Sequence, residues 1–120
     1  MSISKDEFFE FIEQPLPERV IKHAGKEYRL RAMTEEAGID YEIELSSGGK
    51  WDIKKTRRAM IAAMLIDDNG DRICESESQL KKMPRALAGV LYAACLELNS
   101  YEQEEIEDLI KNSEPVESYA

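Results

Sequence analysis

The sequence predicts a mainly α, small α+β domain: a compact helical unit carrying a short N-terminal β-hairpin. Three observations predict it. Ala86 through Leu96 runs eleven residues without a charge. A membrane span needs about 20 apolar residues, so this length suits a central core helix instead. Ile53, Arg57, Met60, Ile61, Met64 and Leu65 recur at helical spacing. Tyr28, Leu30 and Ala32 alternate with the period of a half-buried strand, shortly after Gly25.

The first element is a short helix. Ser4 and Glu7 have the spacing of a capping box, and Pro15 and Pro17 must end the helix that follows. Phe8, Phe9, Phe11 and Ile12 give it dense aromatic bulk, which either packs on its own domain or docks a partner. Next, Ala24-Gly25 supplies a turn between two extended stretches within Arg19 to Met33. His23 beside that turn is the single histidine of the chain and reads as structural or solvated.

Residues 34–46 carry two patterns at once. Thr34 can cap a helix presenting Ala37, Tyr41 and Leu45, while Ile39, Tyr41, Ile43 and Leu45 also alternate as in a strand. Ser46-Ser47-Gly48-Gly49-Lys50 is a connector; it lacks the spacing of a phosphate-binding loop. Asp52 can cap the next helix, expected to reach Ile66, with Ala59, Ala62, Ala63 and Ile66 widening its apolar face. Lys50, Lys54, Lys55, Arg57 and Arg58 form the strongly basic cluster at its start, either a salt-laced solvent face or an orienting surface for acidic groups.

Asp67-Asp68-Asn69-Gly70-Asp71 resembles the start of a calcium loop, but Arg72 stands where that loop needs glycine and Ser78 where it needs a bidentate carboxylate. A tight turn at Asn69-Gly70 is the expectation, with Arg72-Ile73-Cys74 extending briefly after it. Pro84 then opens the long helix ending at Leu98, which should pack on the helix before it. Ser100 and Gln103 mark a last helix with Tyr101, Ile106, Leu109 and Ile110 on one side and five acids on the other. The expected domain covers residues 1–112, with residues 113–120 a flexible tail.

Charge and chemistry narrow the function. Sixteen basic against 25 acidic residues leave a net charge of −9, which disfavours polyphosphate partners and so nucleic acid. Residues that are 42% apolar suffice to close a core. Cys74 and Cys95, twenty-one positions apart, make neither a CxxC motif nor a disulfide framework and read as reduced cytosolic thiols. With no conventional catalytic combination, no metal set and no cofactor motif, the chain reads as a noncatalytic interaction protein without a membrane span or leader. An acidic pocket near Asp67, Asp68 and Asp71, able to take a metal, is the catalytic alternative.

The chain resembles the tail assembly chaperones of long-tailed bacteriophages (siphoviruses). The likeness is carried by Asp52 through Arg58 leading into Ala59-Met60-Ile61-Ala62-Ala63-Met64-Leu65-Ile66, by Asp67-Asp68-Asn69-Gly70-Asp71-Arg72-Ile73, and by Met83-Pro84 before the Ala/Leu-rich helix. Ile106 to Ser113 and Gly25-Lys26-Glu27-Tyr28-Arg29-Leu30-Arg31 extend it over most of the chain. The resemblance implies a mainly helical protein of the host cytoplasm, absent from the mature virion, that keeps the tape measure protein assembly-competent while tail tube subunits surround it. It also implies contact with the major tail tube protein through a longer, frameshifted form, and a helix at residues 34–46. Gly38 departs from that helix.

The candidate contact residues come from the helical faces themselves. Phe8, Phe9 and Phe11 are expected anchors; Ala59, Ala62, Ala63, Tyr92 and Ala93 are expected to line a groove or a homo-oligomer contact; Lys54, Lys55, Arg57 and Arg58 are expected to orient acidic partner groups. A small oligomeric structural or regulatory phage protein, assembling through residues 86–96, is the alternative.

Overall fold

Ala24 and Gly25 hold positive φ angles of 52° and 79°, the geometry of a two-residue hairpin turn. Around them β1 (Glu18–His23) pairs antiparallel with β2 (Lys26–Arg31), His23 opposite Lys26 and Glu18 opposite Arg31. The computed structural model describes residues 2–46 and 55–99.

The expectation of a mainly helical protein is corrected here. The described residues are 52% helical and 17% strand, with a three-stranded antiparallel sheet, so the fold is mixed α+β. The third strand was missed because it lies where the sequence continues a helical apolar run. Helix α3 (Thr56–Met64) stops two residues short of Ile66, and Leu65 turns extended at φ −74°, ψ 120°. Leu65–Ile66 becomes β3, placing Leu65 opposite Leu30 and Ile66 opposite Arg29. Long-range pairing decides the conformation: the Ile73 amide donates to the Leu65 carbonyl at 3.2 Å, and Arg72 bridges Ile66.

Helix α1 (Lys5–Ile12) is capped by Ser4, whose hydroxyl accepts from the Glu7 amide at 3.2 Å. Helix α2 (Glu35–Leu45) occupies the stretch of double pattern; Thr34 caps it by accepting from the Ala37 amide at 3.1 Å. Pro84 stands at the N-cap of α4 (Arg85–Leu98). Between β3 and α4, Ser76 and Gln79 form a capping box around a 3-10 helix, Glu77–Leu80.

Helices α3 and α4 lie against each other and against one face of the sheet. Leu30, Ile61, Met64, Leu91, Tyr92 and Leu96 are each at most 1% exposed, and Tyr41 and Leu45 bring the inner side of α2 to the same cluster. Ile21 and Tyr28 pack on it from the sheet, and Arg19 pairs with Glu97 of α4 at its margin. On the other sheet face Arg29, opposite Val20 and Ile66, reaches Glu18 at 3.1 Å and Asp68 at 4.0 Å. The expected cap at Asp52, the beginning of α3 at Ile53, the helix from Ser100 and the tail at 113–120 lie outside the described residues, as does most of the Ser46–Lys50 connector.

Candidate protein-binding surface

Helix α1 buries none of its residues. Phe8, Phe9 and Phe11 are 47%, 48% and 65% exposed, with Ile12 and Ile3 beside them in solvent. Phe8 and Phe9 meet only edge to face, ring centroids 5.4 Å apart at 74°. Local signals account for the helix: the Ser4 cap, with Asp6 and Glu7 at its positive end. Nothing in the core requires it. Three phenylalanines on a capped helix that contributes no buried side chain form a contiguous apolar surface of the kind associated with partner binding.

Part of the basic cluster meets groups of the same chain, as one of its two readings has it. Arg57 lies 5.6 Å from the centroid of the Tyr92 ring, and Tyr92 is 1% exposed. Arg58 Nε donates to Glu77 Oε2 at 2.7 Å. Both guanidinium groups therefore hold the fold together. Lys55 is half-buried at the start of α3, and Lys54 lies outside the described residues. Ala59 and Ala62 are fully buried, while Ala63 and Ala93 are half-buried. These small residues let α3 and α4 approach, and the fold spends most of them on its own core. Residues 86–96 are likewise largely consumed there, leaving Val90 as their exposed large side chain.

Sequence reasoning missed the outer face of α2. Ile39 and Ile43, one helical turn apart, are 46% and 62% exposed. A groove of about 240 Å³ opens at Ile39, lined also by Met33, Gly38, Glu42, Met60 and Asn99. The signal was present in the i, i+4 spacing of the two isoleucines. It was masked because the same residues also alternate with Tyr41 and Leu45.

Asp67 turns its carboxylate onto its own loop, Oδ1 accepting from the Asn69 and Asp71 amides at 2.9 and 3.0 Å, while the Asp68 side chain stands almost wholly in solvent. Among the described residues no three metal-binding side chains converge. Cys74 and Cys95 are both free and buried. Burial pushes the Cys95 thiol up to about 12 and raises that of Cys74, where the charge of Arg72 opposes the shift. His23 is half-buried at the end of β1. No described helix is long and apolar enough to cross a membrane.

No protein-family model matches the chain, and no curated protein or solved structure is significantly similar to it.

Proposed function

We propose that this chain is a noncatalytic tail assembly chaperone of the host cytoplasm, which holds an apolar helical stretch of a phage tape measure protein until tail tube subunits enclose it. The single observation that carries the reading is α1, a capped helix whose three phenylalanines all face solvent. Covering one phenylalanine is worth roughly 1.5–3 kcal/mol. Because Phe8, Phe9 and Phe11 are already about half covered, a partner seated on all three gains roughly one and a half times that before the costs of association are subtracted.

The resemblance through Ala59–Ile73 and Met83–Leu98 supplies the identity of the partner, and the tail tube protein would join through an extended form of the same chain. The test is coexpression with a tape measure fragment that is insoluble alone. The fragment is expected in the soluble fraction and to copurify with the chain, and the Phe8→Ser/Phe9→Ser/Phe11→Ser variant is expected to lose it. A fragment that stays insoluble beside the native chain overturns the reading.

A further inference from the structure

We infer that the outer face of α2, with the groove beside it, is a second docking surface, and that its occupant is an apolar helical segment bordered by lysine or arginine. This rests on the chaperone reading for the kind of partner and adds the site and the partner's charge. The apolar floor of this face is Ile39 and Ile43 on α2, and Ile39 also lines the groove together with Met33 and Met60. Gly38 keeps the wall low, since a Cβ built there meets nothing within 4 Å.

Charge decides the occupant. Helix α2 contains five acidic residues and no basic one. Glu44 is taken up by the Glu77 amide at 2.8 Å, which leaves Glu35, Glu36, Asp40 and Glu42 exposed around the isoleucines. Helix α1 is acidic on balance, with Asp6, Glu7 and Glu10 among its phenylalanines against Lys5. The two apolar helices of the chain therefore repel each other's seats, and the acidic stretch Glu102–Asp108 carries the same sign. A second copy's α1 therefore does not complement the groove, whereas a segment with cationic borders does.

The two surfaces also lie at one end of the hairpin. The Ala32 amide donates to the Pro17 carbonyl at 2.9 Å, which sets the connector from α1 beside the residue that precedes Met33, one of the groove's lining residues. A long helical partner can engage both in sequence.

The experiment uses the full chain and a synthetic amphipathic peptide of about 18 residues, long enough to hold a helix. One version has leucines bordered by lysines; the other has glutamates in their place. Fluorescence anisotropy is expected to show the lysine peptide binding at least ~10-fold more tightly at low salt. That preference should shrink as the Debye length falls from about 30 Å at 0.01 M to about 8 Å at 0.15 M salt. Ile39→Gln/Ile43→Gln removes the floor and Gly38→Leu fills the groove; each is expected to weaken binding about 10-fold with circular dichroism unchanged. Glu42→Lys, a surface change that leaves the floor intact, is expected to reduce the preference for lysine.

Equal binding of the two peptides overturns the proposal, as does binding that survives both the isoleucine and the glycine variants. A dimer that those variants dissociate also overturns it, because the occupant is then a second copy. Phe8, Phe9 and Phe11 are intact throughout, so the two readings fail separately. A chain that solubilises the tape measure fragment but ignores the lysine peptide defeats the groove alone. A chain that binds the peptide but leaves the fragment insoluble defeats the chaperone reading alone.

Discussion

Glu77 Oε2 accepts from Arg58 Nε at 2.7 Å, and Glu77 is only 6% exposed. The pair ties the first turn of α3 to the 3-10 helix at Glu77–Leu80, while the Glu77 amide donates to Glu44 of α2. One acidic residue thus connects three elements that are distant in sequence, and a guanidinium that looked available to partners is an internal fastening.

Arg58→Met leaves the Glu77 carboxylate buried with its charge uncompensated. Breaking a fully buried pair costs about 3–5 kcal/mol, and the partial exposure of Arg58 reduces this to roughly 2–3 kcal/mol. The double variant Arg58→Met/Glu77→Met removes both desolvation penalties and is expected to be more stable than Arg58→Met alone. Urea midpoints of the wild type, both single variants and the double variant measure this coupling. Additive single effects would show that the pair is not coupled.

Gly38 sits inside α2 at a helical position with open space where a Cβ would lie. Alanine there restricts the unfolded chain and meets no neighbour, so Gly38→Ala is expected to raise stability by about 0.5–1 kcal/mol. Thermal unfolding measures the gain. A loss would mean that the wall of the groove closes more tightly than its free space indicates.

The hairpin was legible in the sequence because Ala24-Gly25 and the alternation of Tyr28, Leu30 and Ala32 are local signals. Pro84 marked the start of α4 for the same reason. Leu65–Ile66 was not legible: nothing within that dipeptide separates a helix end from a strand, and its partners Leu30 and Arg29 lie 35 and 37 positions back. The aromatic anchors at Phe8, Phe9 and Phe11 could be named from sequence, but their exposure depends on the absence of packing against α1. Ala59, Ala62 and Tyr92 failed as surface candidates because a broad apolar face has the same pattern whether its own domain or a partner covers it.

Because α1 buries nothing, removing residues 2–12 is expected to leave the main unfolding transition within about 0.5 kcal/mol of the intact chain. Ser4→Ala, which removes the cap, is expected to fray α1 by about 1 kcal/mol without moving that transition. Hydrogen exchange at the α1 amides, compared with urea unfolding of the whole chain, separates local from global opening. A large fall in global stability on truncation would show that α1 packs on the domain in solution, and it would remove the surface on which the chaperone reading stands.

Cys95 gives the fold an alkaline limit. Its thiol is fully buried in α4, and burial alone pushes its pKa from 9.0 up to about 12. In the unfolded chain the same thiol loses its proton near the ordinary value, so between pH 9.0 and about 12 the unfolded state binds fewer protons than the native one. Stability is therefore intact below that window and falls as pH rises through it, by at most a little over ~1 kcal/mol per pH unit for one proton. Cys74, raised in the same direction, adds to the slope. Tyrosines and lysines titrate in the same range, so the comparison must cancel them. Cys95→Ala keeps every other ionisable group and removes this one, at the cost of a small cavity. The stability difference between wild type and Cys95→Ala is expected to be constant below pH 9 and then to shrink steadily as the wild type loses its advantage. A difference that stays constant to pH 11 would show that Cys95 ionises without a burial penalty, despite its place beside Leu91, Tyr92 and Leu96 in one packed cluster, and would overturn this prediction.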